Sequence, residues 1–184
     1  MYYITGYLAF GIPCELPTPG KWNITKSEYL DDALFKSVNS EESPFGDWGI
    51  EKNKIVPYRE FTLFNVANHV RAYVDMLYAG EFDKLRDLFF ECINNAKARE
   101  DIFMLVYGKL RKLACYREVN EFMCEEFGNA WLSYVDAIYS VANHISAREE
   151  EVQEILQKQG RSDVHGSIST TLSIPTEEVK VNAE

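Results

Sequence analysis

The sequence predicts a mainly α fold (α+β): a compact antiparallel helical bundle with a small N-terminal β element and a polar C-terminal tail. Three observations predict it. Apolar residues recur at helical spacing through most of residues 59–159. The first ten residues form an aromatic, β-prone run. Past Gly160 the apolar content gives way to Ser and Thr. The chain accordingly divides into an N-terminal region packed on the bundle (1–58), the bundle itself (59–159) and a tail (160–184). Its 184 residues, 46% of them hydrophobic, suffice for one well-packed domain plus a tail.

Taken in order, Tyr2 to Phe10 reads as a strand stopped by Gly11-Ile12-Pro13, and Pro17-Thr18-Pro19-Gly20 reads as a loop. Thr25 and Glu28 have capping-box spacing and introduce a short helix from about Lys26 to Ser37. Asn39 to Pro57 is a polar loop with Phe45, Trp48 and Ile50 embedded in it. Such aromatics either anchor the loop or face a partner, and anchoring is the general rule. The helical body is expected from Arg59, where Leu63, Val66, Ala67, Val70, Val74 and Leu77 form one stripe ended by Gly80. Further helices follow over Glu81–Ala98, Asp101–Ala114, Arg117–Phe127 (ended by Gly128) and Asn129–Gln159. Short connections imply antiparallel neighbours. The end of the last helix, with wide polar faces after Ile145, is expected to project or to pack on one side only. The tail carries an alternating Ser167–Ile174 stretch that suits either disorder or addition to a sheet edge.

The formal net charge is −10, from 29 acidic and 19 basic residues, which disfavours direct binding of nucleic acid and favours a partner with a basic surface. The alternative is that the charge only maintains solubility. The four cysteines form no CxxC pair, so neither a zinc finger nor a redox motif is spelled out. The apolar start lacks a basic n-region and a cleavage site, and is too short to span a bilayer, so no membrane and a cytoplasmic location are expected.

One short echo occurs. Val66-Ala67-Asn68-His69-Val70 recurs as Val141-Ala142-Asn143-His144-Ile145. A duplicated helical unit would place His69 and His144 on equivalent flanks, as a two-histidine metal site requires. The competing reading is a shared packing solution or a coincidence, and no HExxH or ExxH spacing supports a metal, so no cofactor is expected. GxSxG, GxxxxGK[ST] and GxGxxG are all absent. A Cys–His pair needs closeness in space rather than in sequence, and nothing in the sequence singles out one cysteine for it.

The basic residues Lys109, Arg111, Lys112 and Arg117 read as charge-balancing surface groups. More suggestive are the acidic pairs Asp31-Asp32, Glu41-Glu42 and Glu125-Glu126, and the run Glu149-Glu150-Glu151 with Glu154. Carboxylates on a rigid helix can face a basic groove in place of phosphates, and would chiefly speed association. Asp31, Asp32, Glu41, Glu42, Phe45, Trp48, Glu149, Glu150, Glu151 and Glu154 are therefore the expected partner contacts.

In size, composition and the run from Met1-Tyr2-Tyr3-Ile4-Thr5-Gly6-Tyr7 into the helical part, the chain resembles the small acidic anti-CRISPR proteins of phages and mobile elements, the Cas9 inhibitors. That group shares no motif, so no residue role carries over. The resemblance implies a non-enzymatic inhibitor in bacterial cytoplasm that binds a Cas9–guide RNA complex and blocks DNA engagement or cleavage. Two alternatives stand beside it: a metal-dependent helical enzyme using His69 and His144, and a structural or regulatory module forming a homodimer through the long C-terminal helix.

Overall fold

Gly6, at φ +77°, ends the first strand after four residues, because that backbone conformation suits a residue without a Cβ. In the computed structural model, which describes residues 1–32, 34–59 and 62–158 (side chains 142, 143 and 156–158 aside), β1 is Tyr2–Thr5. The expected strand to Phe10 is thus corrected. Tyr7–Gly11 coils into a 3₁₀ turn that buries Leu8, Ala9 and Phe10. A continuous apolar run fits either geometry.

The capping box is formed as the spacing predicts. Glu28 N–H donates to Thr25 Oγ1, and Thr25 N–H donates to Glu28 Oε2 at 2.7 Å. The helix it starts, α1 (Lys26–Leu30), is shorter than expected, and Lys36–Asn39 form β2 instead. β2 runs antiparallel to β1, with Tyr2 opposite Asn39 and Thr5 opposite Lys36.

The largest departure lies between Asn39 and Ala67. The expected loop contains β3 (Ile50–Ile55), and the expected start of the helical body is β4 (Leu63–Ala67). β3 and β4 pair antiparallel across a bulge between Glu51 and Lys54. β4 also pairs parallel with β1 at Ile4 and Val66, giving the strand order β2-β1-β4-β3. The 58/59 boundary therefore falls inside a β3–β4 hairpin. Leu63 is 60% exposed, so it does not head a buried stripe.

Asn68 stops the strand and starts α2 (His69–Tyr78), its side chain accepting from Arg71 N–H at 2.8 Å. α2 is buried on every face from His69 to Leu77, as befits a helix lying against β1, β4, the 3₁₀ turn and the following helices. Gly80 follows it at φ +72° as expected.

The single helix expected over Glu81–Ala98 is broken. α3 (Phe82–Leu85) gives way at Asp87, in left-handed conformation, to a π-type turn over Phe89–Ile93 that ends at left-handed Asn94. Asn95 then caps α4 (Ala96–Leu105), which continues into a second π-type turn, Val106–Leu110. α5 (Tyr116–Phe127) and α6 (Asn129–Lys158) meet at Gly128, close to the predicted bounds. The architecture is mainly α with a small sheet.

Two units are distinguished, Met1–Tyr139 and the remainder from Ser140. In the first, an aromatic cluster links the late helices. Phe103 meets Phe127 edge-on at 5.1 Å and Trp131 at 5.2 Å, and the buried Trp131 indole donates to Asn120 at 2.9 Å. The tail after residue 158, with its expected strand or disorder, lies outside the described residues.

Candidate functional site

The acidic run predicted on the last helix lies in the second unit. There every described side chain of α6 from Ser140 to Ile155 is exposed. Val141, Ile145, Val152 and Ile155 are 58, 54, 49 and 46% exposed. At about 100° per residue these four fall within an arc of roughly 80°. Glu149 and Glu151 lie about 80° to either side of Val141, while Glu150 and Glu154 lie on the far side of the helix. Arg148 falls inside the apolar arc. This part of α6 thus exposes an apolar stripe between two carboxylate margins.

The other predicted contacts are dispersed in the first unit. Asp31 and Asp32 are exposed after α1, and Asp32 pairs with Arg59 at 3.1 Å. Glu41 and Glu42 are exposed on a 3₁₀ turn, where the Asn39 side chain accepts from Glu41 N–H. Trp48 is 38% exposed. Phe45 is corrected from partner contact to anchor: it is buried, edge-on to Tyr78 at 6.4 Å and beneath the Arg71 guanidinium.

That guanidinium holds the loop in place. Arg71, fully buried, donates from Nη1 to the carbonyls of Gly46 and Trp48 and from Nη2 to Tyr3 Oη and Ser43 Oγ. Its Nε donates to Asp75 Oδ1 at 2.9 Å, and Asp75 Oδ2 accepts from Tyr3 and Thr5 at 2.8 and 2.7 Å. Burial raises the Asp75 carboxyl above its ordinary range against the opposing pull of Arg71, and burial with the Asp75 charge raises the Tyr3 phenol. A cleft of about 300 Å³ opens over Asp75, and Lys36 and Glu81, in contact with each other, are among its lining residues. Because each member of the network is paired, its chemistry is that of a clamp joining β1, the 43–48 loop and α2.

The two histidines are not equivalent. In the first copy of the echo, Val66 and Ala67 end a strand, Asn68 caps, and His69 opens α2. The second copy lies wholly within α6, and His144 is exposed. The echo is one of letters and not of structure, which removes the geometric basis of the duplicated unit. His69 is 2% exposed rather than at a solvent-reachable flank. Among the described residues, no group of three or more His, Cys, Asp or Glu side chains is placed to hold a metal ion.

What His69 does contact was not foreseen. Its Nδ1 lies 2.6 Å from Thr18 Oγ1, its Nε2 lies 3.2 Å from the Ile12 carbonyl, and its ring stacks on Phe10. Cys14 Sγ lies 3.6 Å from the same Thr18 oxygen. Phe10, Cys14, Thr18 and His69 line a cleft of about 200 Å³. The usable sequence signal was Asn68 at N-cap spacing from Arg71, which would have placed His69 at a helix start.

No protein-family model, curated protein or solved structure matches the chain. No helix among the described residues is long and apolar enough to cross a membrane.

Proposed function

We propose that this chain is a non-enzymatic, acidic protein-binding inhibitor whose contact surface is the stripe from Val141 to Ile155 with its Glu149 and Glu151 margins. The supporting observation is the exposure of four large apolar side chains on one arc of one helix. Fully burying such a side chain is worth roughly 1.5–3 kcal/mol, so a partner that covers the stripe gains a sizeable driving force before association costs are subtracted. Carboxylates on both margins select a cationic cover and speed its approach. The occupant is a protein with a basic surface and an apolar ridge, of which an amphipathic basic helix is the simplest form. Asp31, Asp32, Glu41 and Glu42 add to the net negative charge that favours a cationic partner.

The resemblance to small Cas9 inhibitors supplies the first target, a Cas9–guide RNA complex, whose nucleic-acid grooves are cationic. Its test is to mix the purified chain with that complex at low salt and follow both co-elution and DNA cleavage. Co-elution that weakens as salt rises, together with suppressed cleavage, supports the reading. Failure to co-elute at low salt removes this target.

A second reading has its own observation. The spacings 4, 7 and 3 between the four residues match a and d positions of a heptad, with Arg148 at the remaining one, so a second copy of α6 is another cover for the same stripe. Light scattering across a concentration series separates the two: a dimer lost in Val152→Asp assigns the stripe to self-association.

A further inference from the structure

We propose that Cys14 is a reactive thiol and a site of oxidation by hydroperoxides, with Thr18 and His69 positioned to take up its proton and return it. A carbonyl oxygen only accepts, so His69 Nε2, 3.2 Å from the Ile12 carbonyl, carries a hydrogen, and in the neutral imidazole Nδ1 is then an acceptor. The Thr18 hydroxyl donates to Nδ1 at 2.6 Å, which leaves its oxygen to accept from the Cys14 thiol at 3.6 Å. The order thiol, hydroxyl, imidazole, carbonyl is the nucleophile–base–orienter arrangement of activated cysteines, with a hydroxyl interposed.

Two further features favour the thiolate. His69 is the first residue of the ten-residue helix α2, whose amino-terminal end stabilises negative charge. Although burial pushes the Cys14 thiol up, the His69 imidazole and backbone N–H and the Thr18 hydroxyl outweigh it and hold the thiol at about 7. The other charged groups at the site are Lys21, which lines the cleft and pairs with Glu91 at 3.3 Å, and Glu15, whose N–H donates to Glu51. Cys92 differs: it is 1% exposed and burial raises its thiol. The cleft, about 200 Å³ and edged by the 92%-exposed Trp22, admits a molecule the size of hydrogen peroxide or a short alkyl hydroperoxide.

In the reaction the Cys14 proton passes through Thr18 to His69 Nδ1, and the thiolate sulfur attacks the hydroxyl oxygen of the hydroperoxide. The S–O bond forms as the O–O bond breaks. Sulfur loses two electrons and the peroxide gains them. The departing alkoxide, or hydroxide, takes the proton back from His69 and leaves as alcohol or water, with Cys14 as the sulfenic acid.

The test uses the full chain, reduced and freed of reductant. Alkylation by iodoacetamide is followed by mass spectrometry at each cysteine from pH 5.5 to 10, with the half-buried Cys115 and Cys124 as internal references. Cys14 is expected to show its midpoint near 7 and, at pH 7, to react about three- to sixfold faster than an ordinary thiol, since the higher thiolate fraction is partly offset by lower nucleophilicity. Hydrogen peroxide followed by dimedone is expected to label Cys14 first. Thr18→Val, which keeps His69 and the helix, should move the midpoint upward, with thermal stability monitored alongside, and Thr18→Ser should restore it. Cys14 labelling no earlier than Cys115 and Cys124, or a midpoint unmoved in a folded Thr18→Val variant, overturns the proposal.

Discussion

Arg71 Nε donates to Asp75 Oδ1 across one turn of α2 at 2.9 Å, with the guanidinium wholly out of solvent and the carboxylate 8% exposed. Removing one partner of a buried pair strands the other, which costs far more than the pair's own net worth. Arg71 also supplies the hydrogen bonds that hold Gly46 and Trp48. Arg71→Met is therefore predicted to cost about 3–5 kcal/mol in urea denaturation. Arg86→Met, at the exposed pair with Glu125, is predicted to cost about 1 kcal/mol or less. Equal losses at the two sites would contradict the clamp.

The same comparison applies to the two histidines. His69 loses two hydrogen bonds and a ring stack when truncated, and leaves the Thr18 hydroxyl without its acceptor. His69→Ala is predicted to destabilise by about 2–4 kcal/mol, and His144→Ala, on the exposed α6 surface, by about 0.5 kcal/mol or less. Thermal melts of the two variants check this, and matched losses would revive the duplicated unit.

Those histidines also show where sequence reading succeeds and fails. Thr25 with Glu28, Gly80 and Gly128 are local signals whose meaning lies within a few residues, and each marks the boundary it predicts. The strands β2 and β4 are short and take partners far along the chain in β1, as Val66 does in Ile4, while β3 is held only by its neighbour β4 across a bulge. Leu63, Val66, Ala67 and Val70 fit helical spacing by coincidence, because a strand's alternate residues joined to a following helix give nearly the same apolar pattern. The Cys14–Thr18–His69 constellation joins Thr18 to a residue 51 positions away and depends on the 3₁₀ turn and on left-handed Gly20. On α6 the wide polar faces after Ile145 announced a segment that projects or packs on one side only, but the arc shared by Val141, Ile145, Val152 and Ile155 was not read from the spacing, because helical periodicity leaves open which face is covered and by what.

Gly20 lies close against His69 and Phe10. It sits at φ +67°, and a Cβ there would meet His69 Cε1 and the Phe10 carbonyl, each at 2.8 Å. Gly20→Ala is predicted to destabilise by about 1–3 kcal/mol and to raise the alkylation midpoint of Cys14 by displacing His69. Denaturation and the iodoacetamide profile are the two readouts.

Tyr73 offers a change in the opposite direction. Its ring is buried edge-on against Phe89 and Phe127, while its hydroxyl is buried without a hydrogen bond. Burial raises this phenol well above its ordinary range, and the nearby Glu126 charge adds to the effect. A stranded hydroxyl forfeits its hydration, so Tyr73→Phe is predicted to stabilise by about 1 kcal/mol, seen as a higher urea midpoint at unchanged slope.

Cys14 carries a pH signature of its own. Its folded-state value of about 7 lies below the ordinary thiol range, so the folded state binds the proton less tightly than the unfolded chain does. The stability it contributes is present in full above the unfolded value and is lost as pH falls through about 7. The wild type under reducing conditions is therefore predicted to gain on Cys14→Ser between pH 6.5 and 9.5 and to run parallel to it below pH 6. Urea midpoints across that range test the sign, and a difference independent of pH would remove the thiolate from the folded state.

The geometry of α6 makes the partner-binding proposal face-specific. Glu149 and Glu151 border the stripe, whereas Glu150 and Glu154 point away from it, so equal charge changes should have unequal effects. Glu149→Lys with Glu151→Lys is predicted to weaken partner binding at least tenfold at low salt, chiefly through slower association. Glu150→Lys with Glu154→Lys, the same change in net charge, should weaken it several-fold less. All four positions are exposed, so neither pair should shift the melting temperature beyond the change of about 0.5 kcal/mol usual for surface substitutions. If the two pairs weaken binding equally, net charge rather than the stripe is responsible, and α6 ceases to be the contact surface. If Ile145→Asp also leaves binding intact, the same conclusion follows from the apolar side.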